Sequence, residues 1–326
     1  MILLTKLRSI FDPSMYQGWG NTRKYFEGWY FKVVNASETR AFAFIPGISM
    51  NESGKKQAFI QVLDGRKKTA EFYPFEASEF IPSEKDFKVT VGNNFFSSGR
   101  IRLALPSASG ELVFTGTKGW PNPWYAPGIM GPYTFAPFME CNHGIVSLDH
   151  SLSGSLAING EETDFNGGRG YIEKDWGHSF PSAYIWMQSN HFDIPGISFK
   201  SSVARIPWLT GNFTGFITGL LADNHLYRFT EYGGARLTRL DVTGTGVEME
   251  FRNRNHTLAV SAPTDKATPL AAPINGFMGG RIEESMTSVI SLMLRETASG
   301  RIIFSGQGRN GCIEVSGDTK TLMPRI

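Results

Sequence analysis

Apolar and β-branched residues come in short runs along this chain, and clusters of Gly, Pro, Asn or Ser separate one run from the next. The run at 25–34 (YFEGWYFKVV) predicts a strand rich in aromatic and β-branched residues. Runs at 41–45, 58–63, 71–75, 87–91, 101–105 and 112–115 follow at intervals of roughly 8–12 residues, the spacing of an antiparallel sandwich or barrel. Asp64-Gly65 and Asn159-Gly160 are hairpin signals. A second series covers 141–150, 154–159, 213–222, 224–230, 237–242, 247–251, 258–261, 301–305 and 312–315. Residues 281–297 fit two periods: Ile282, Met286, Val289, Ile290 and Met293 suit a helix, whereas 289–294 suit a buried strand, the reading adopted here. Residues 1–24 read as an irregular lead-in. Residues 118–138, dense in proline and aromatic rings, read as a long structured loop that is either functional or a linker packed by its own rings.

The chain also echoes itself. Residues 101–105 match 247–251, and 112–116 match 258–262 at the same offset. Residues 73–75 match 227–229 slightly further along, and Tyr25-Phe26-Glu27-Gly28-Trp29 echoes 171–176. The architecture expected is therefore all-β, as two tandem antiparallel lipocalin-like β-barrel halves, 1–165 and 166–326. An eight-stranded barrel holds one small apolar ligand, whereas a sandwich, the rival, is filled by side chains.

Composition narrows the function. A hydrophobic fraction of 41% and a charged fraction of 19% fit an ordered globular chain. A net charge of +2, with basic residues scattered rather than striped, argues against a nucleic-acid partner. Cys141 and Cys312, the only cysteines, have no metal spacing and form no disulfide framework. The cytoplasm is the expected compartment, because Lys6 and Arg8 interrupt the first apolar residues.

Carboxylates, histidines and tryptophans crowd together only at 170–192. In an extended strand Tyr171, Glu173 and Asp175 share one face, and Ile172, Lys174 and Trp176 the other. Two carboxylates on one buried face favour keeping one proton between them, which is what an acid catalyst requires. The competing reading is structural: Lys174 or Arg169 neutralises the pair and the carboxylates only pin a strand. His143, Asp149, His178 and His191 are a conceivable metal set, but their spacing matches no known signature, so neither a metal nor any other cofactor is expected. The Gly306–Gly311 segment fits G-x-G-x-x-G yet runs into another strand rather than a helix, so the dinucleotide reading fails its context.

The segments Tyr25-Phe26-Glu27-Gly28-Trp29-Tyr30-Phe31, Gly170-Tyr171-Ile172-Glu173-Lys174-Asp175-Trp176-Gly177, Phe180-Pro181 and Trp186-Met187-Gln188-Ser189-Asn190 resemble the tocopherol cyclase family. More distantly the chain is similar to carotenoid hydratase-like proteins with two lipocalin-like barrels. The chain departs from the family pattern at Asp175, where Asn is common, and at His178, where a small residue is common. The resemblance implies closure of a chromanol ring: a proton reaches a prenyl double bond and a phenol oxygen adds to the tertiary cation. It implies Asp175 or Glu173 as the acid, with His178 or His191 as its partner. Trp176, Trp186, Trp29 and Tyr30 would line the cation's path, Gln188 and Asn190 would orient the phenol or quinone oxygens, and Glu27 would be the first half's counterpart of Glu173, with Tyr171 beside it. The implied partner is a hydrophobic prenylquinol or other isoprenoid, loaded through transient contact with a membrane surface. A non-catalytic carrier of an apolar molecule, an isoprenoid hydratase and a structural protein with filled barrels are the alternatives.

Overall fold

The computed structural model describes residues 2–208, 211–264 and 267–322. A first sheet takes β1 (Tyr25–Val34), β2 (Ala41–Met50), β3 (Lys56–Asp64), β4 (Thr69–Phe75), β5 (Phe80–Pro82) and β6 (Lys88–Val91). It continues with β7 (Asn94–Ser97), β8 (Arg100–Ala104), β9 (Ala108–Thr115), β10 (Cys141–Ile158), β11 (Glu161–Asp164) and β12 (Arg169–Gly177). Its order is β4-β3-β2-β1-β12-β10-β9-β8-β7-β6-β5, with β11 on β10.

The second sheet begins with β13 (Ala183–Ser189), β14 (Ser198–Trp208), β15 (Gly211–Ala222), β16 (His225–Thr230) and β17 (Arg236–Val242). It ends with β18 (Gly246–Arg252), β19 (His256–Pro263), β20 (Thr268–Ile274), β21 (Phe277–Glu296) and β22 (Ile302–Gly317). Its order is β16-β15-β14-β13-β22-β21-β19-β18-β17, with β20 on β21. Among the described residues no ladder joins the two ends of either sheet.

Read outwards from β1 and from β13, the two sheets order their strands alike as far as β7 in the first and β17 in the second. The matches at 101–105/247–251, 112–116/258–262 and 73–75/227–229 therefore fall on equivalent strands: β8 with β18, β9 with β19, β4 with β16. The fourth match does not. Tyr25–Val34 and Arg169–Gly177 are neighbours in one sheet, paired antiparallel with Glu27 opposite Trp176 and Trp29 opposite Lys174. This pairing also moves the expected boundary at 165/166. Because β12 hydrogen-bonds between β1 and β10, the first compact unit runs to Phe180 and adds Leu270–Arg281; the second takes Pro181–Pro269 and resumes at Ile282.

Other expectations change in detail. Residues 281–296 fall in strand β21, as expected for the 281–297 stretch. The lead-in instead contains a helix, α1 (Ile2–Phe11), ten residues with no acidic first turn. A helix so short is marginal on propensity alone, which is why its sequence signal is weak. Residues 141–150 and 154–159 form one strand of 18 residues, with register shifts between Ile145 and His150. Among 118–138 the only regular element is a 3₁₀ turn, Gly131–Phe135.

Stacked rings fill the inside of the first sheet. Trp29 stacks on Phe87 at 5.4 Å, and Phe31 packs on Phe96 at 5.5 Å. In the second unit Met187, Phe199, Phe229, Phe251 and Leu292 belong to one equivalent core.

His150 is embedded in the first unit. Its Nδ1 lies 3.0 Å from Ser147 Oγ and its ring 4.5 Å from that of Phe114. The opposite position, Gly170, has no room for a side chain: a Cβ there would stand 2.2 Å from His150 Nε2. Burial, reinforced by the positive Arg169, holds the imidazole pKa down at about 3, against an ordinary 6.5. The folded state thus refuses a proton that the unfolded chain accepts. The stability this contributes is complete above pH 6.5 and drains away as pH falls toward 3, at up to about 1.4 kcal/mol per pH unit. Urea unfolding between pH 6.5 and 4 should show that slope, and His150→Leu should remove most of it.

Candidate active site

Strand β12 sorts its charged side chains onto opposite faces, as its period requires. Ile172, Lys174 and Trp176 turn toward the first unit's apolar core. Tyr171, Glu173 and Asp175 turn away from it, with Tyr30 opposite Glu173 and Gly28 opposite Asp175 on β1.

On the core side, Lys174 Nζ lies 2.7 Å from Glu27 Oε1, with both side chains wholly buried. The pair's remaining bonding capacity goes to the segment after α1. Lys174 donates to the carbonyl oxygens of Pro13, at 2.9 Å, and Met15. Glu27 accepts from the Gln17 and Gly18 amides at 3.0 Å and from the Tyr25 hydroxyl. The ammonium sits 5.0 Å from the centre of the Trp29 ring and 4.5 Å from that of Trp176. Burial pushes the Glu27 carboxyl up, opposed by Lys174, and pushes the Lys174 ammonium down, opposed by Glu27. Glu27 is therefore no counterpart of Glu173. It is half of a buried ion pair, and Trp29 and Trp176 are the rings that flank its cation. Trp29 also donates its indole N–H to the Ser14 carbonyl at 3.0 Å.

The opposite face gathers a different group. β10 lies beside β12 with His143 opposite Asp175 and Ile145 opposite Glu173. His143 Nδ1 is 3.3 Å from Glu173 Oε1 and touches Asp175 Oδ1. The Tyr171 hydroxyl donates to Glu173 Oε2 at 2.5 Å. The four groups form a chain from dry to wet: Tyr171 is fully buried, Glu173 is 2% exposed, and the His143 and Asp175 side chains are 19% and 26% exposed. The cations proposed to neutralise the carboxylates are engaged elsewhere, Lys174 with Glu27 and Arg169 with Asp149 at 3.0 Å. The ligand atoms of His143, Glu173 and Asp175 lie within 4.8 Å of one another, and this is the one such group of three among the described residues. A hard or borderline divalent cation suits that donor set. The metal set considered from sequence differs, since Asp149 is held by Arg169.

His178 follows β12 and is exposed; its backbone is bonded, to the Glu140 carbonyl at 2.9 Å and the Gly276 amide at 2.6 Å. Burial and the nearby Lys24 lower its pKa. The remaining candidates belong to the second unit. On β13, Ala183, Ile185 and Met187 enter that unit's core, so Trp186 and Gln188 turn away from it. Gln188 Nε2 is 3.5 Å from Asn190 Oδ1, and His191 is buried with its carbonyl bonded to the Arg309 amide at 2.8 Å. Lys200, paired with Gln188 across the ladder, and Glu284 are also buried. Sequence reasoning passed over both, and His143 entered it only as a metal ligand. The signal that finds them is the strand pairing, which is long-range.

A model of the tocopherol cyclase-like family matches residues 94–317. The chain belongs to the tocopherol cyclase-like family. It is similar to the chloroplastic tocopherol cyclase of Zea mays, 24% identical over 193 residues, which cover 56% of this chain and 40% of the maize protein's length. The fold is similar to that of CghA crystallised with Sch210972, with a TM-score of 0.54, 11% identity and coverage of 90% and 88% of the two chains. It is also similar to a protein assigned as AttH from Nitrosomonas europaea, with a TM-score of 0.51, 12% identity and coverage of 91% and 93%. With these neighbours the tocopherol cyclase-like chain shares the tandem lipocalin-like architecture, its sheets left open.

The ion pair yields a stability test. Lys174→Met strands Glu27 as a buried charge and should cost about 3–5 kcal/mol in chemical denaturation. Adding Glu27→Gln should recover a large part of that loss, giving a coupling in the double-mutant cycle that two independent sites would lack.

Proposed function

We propose that this chain is an acid-catalysed cyclase of prenylated phenols or quinols, working on the β12 face that carries Tyr171, Glu173 and Asp175. The observation that carries the reading is the convergence of Glu173 and Asp175 on His143, with Tyr171 bonded to the buried carboxylate. Family membership supports the reaction class.

Ring closure is an isomerisation, so every atom of the substrate is retained. Glu173, as the desolvated carboxylic acid, gives its proton to the less substituted alkene carbon. The π electrons form that C–H bond and leave a tertiary cation. The phenol oxygen attacks the cation, and its proton passes to the carboxylate. His143 and Asp175 hold the proton inventory at the end that water reaches, and Tyr171 fixes the orientation of the Glu173 carboxyl. In this role His143 replaces His178 or His191 as the partner of the acid. An acid positioned in this way contributes about 10²–10⁴-fold.

A prenylated hydroquinone incubated with the protein in deuterium oxide should give an isomer that carries one non-exchangeable deuterium on the new ring. Glu173→Gln should lower kcat by about 10²–10⁴ with little change in KM, and Asp175→Asn by a smaller factor within that range. Unchanged substrate that co-purifies with the protein and never turns over would make the chain a carrier. Full activity in both variants would remove the proposed acid.

A further inference from the structure

Helix α1 is turned inside out. Thr5 and Ser9, one turn apart, are buried at 5% and 2% exposure, while Leu3, Leu4, Leu7 and Phe11 are 46–71% exposed. Leu3, Leu7 and Phe11 fall at a spacing of four, on one stripe of the helix. A helix that folds onto a water-soluble core normally presents the opposite faces. Polar contacts hold this one: Gln17 Nε2 donates to the Ser9 carbonyl at 2.7 Å, and Asn122 Nδ2 donates to the Phe11 carbonyl at 2.8 Å.

The second contact leads to the proline- and aromatic-rich loop. Phe11 packs edge-on against Phe135 at 6.3 Å. Along the same loop Trp124 and Tyr125 pack edge to face and stand 78% and 64% exposed, and Phe138 is 46% exposed. Of the fifteen exposed large apolar side chains among the described residues, eight lie in these two touching segments; elsewhere they are scattered. Contiguous exposed apolar surface of this kind marks a binding face.

Charge identifies the occupant. Residues 2–11 and 118–138 contain Lys6, Arg8 and Lys118 and no acidic residue, and all three cations are exposed. Among the described residues none of them makes an ion pair. A second copy meeting this face by two-fold symmetry would set like charges against each other. An anionic bilayer offers the complementary charge, and Trp and Tyr at the tip of a loop suit the headgroup level.

We propose that α1 and the 118–138 loop form a docking surface for anionic lipid membranes, with the apolar stripe of α1 and the Trp124-Tyr125 tip entering the interface. The loop leads in sequence through Cys141 into β10, the strand that carries His143, and the segment after α1 receives Lys174 through Pro13 and Met15 on the core-facing side of β12, opposite the candidate site. The inference goes beyond the cyclisation reading and stands without it, because membrane binding is measured with no turnover.

The test is flotation of the full chain with phosphatidylcholine vesicles, with and without phosphatidylglycerol. The chain should float with the phosphatidylglycerol vesicles, less so at high salt. Leu3→Ser with Leu7→Ser should weaken binding about tenfold or more, and Trp124→Ser with Tyr125→Ser should do the same independently. Thermal unfolding should stay unmoved in both, because these side chains are exposed in the folded protein. Lys6→Gln with Arg8→Gln should erase the preference for phosphatidylglycerol. Absence of flotation by the unmodified chain, or wild-type flotation by both apolar variants, overturns the proposal. So does a dimer in sedimentation velocity that these variants dissolve while vesicles bind nothing, since a second copy would then be the occupant.

Discussion

Glu27 and Lys174 are a carboxylate and an ammonium that neither meet water nor can be left half made. Removing one of them exposes the other to a desolvation cost of several kcal/mol with nothing to offset it. Together they are saturated, because the backbone of residues 13–18 and the Tyr25 hydroxyl supply the bonds that water would otherwise give. The pair thus ties three distant pieces of chain: the segment after α1, strand β1 and strand β12. It also settles the alternation of β12. A slip of one residue would carry Lys174 out of the core and Glu173 into it, among rings that offer a carboxylate no partner. The placement of Glu173 and Asp175 beside His143 is a consequence of where Lys174 must go.

That dependence explains what could be read from the chain and what could not. Period-two alternation is local, so the division of residues 171–176 into two faces was legible, as was the β character of both halves and of residues 281–297. Which face meets the core is not local. It is decided by Glu27, more than 140 positions earlier, and no pattern within 170–177 reveals it. The likeness of 25–29 to 171–176 looked like repetition because both are aromatic strands carrying a glutamate. Adjacency in one sheet is the physical reason they share that composition: each supplies rings and charge to the same buried pair. The true repeat was visible only where strands are plain, at β8, β9 and their equivalents, with no special partner to satisfy.

The candidate site was legible to a similar depth. Tyr171, Glu173 and Asp175 were found because crowded carboxylates are conspicuous in a sequence, and His178 was drawn in because it stands three residues on. Neighbours in sequence are not neighbours across a sheet. His143 reaches the carboxylates because β10 pairs with β12, and His178 does not because the strand has ended at Gly177. The family match covers 94–317, so it includes His143, Glu173 and Asp175 but not Glu27. The half of the ion pair on β1 has to be argued from the structure alone.

A lipocalin-like shell is usually considered for what it encloses, yet the first unit encloses mostly rings. Filling the shell has a chemical advantage. Carboxylic acids inside a dry barrel keep a proton well but recover it slowly once it has been given away. Carboxyl groups on the other face of the same strands can be desolvated at one end of a cluster and wetted at the other. Glu173 at 2% exposure and Asp175 at 26%, with His143 between them, form such a gradient within three residues of one strand. The packed interior then contributes rigidity. It fixes β12 through Lys174, so Glu173 and Asp175 are positioned by a strand anchored in the core instead of by a loop.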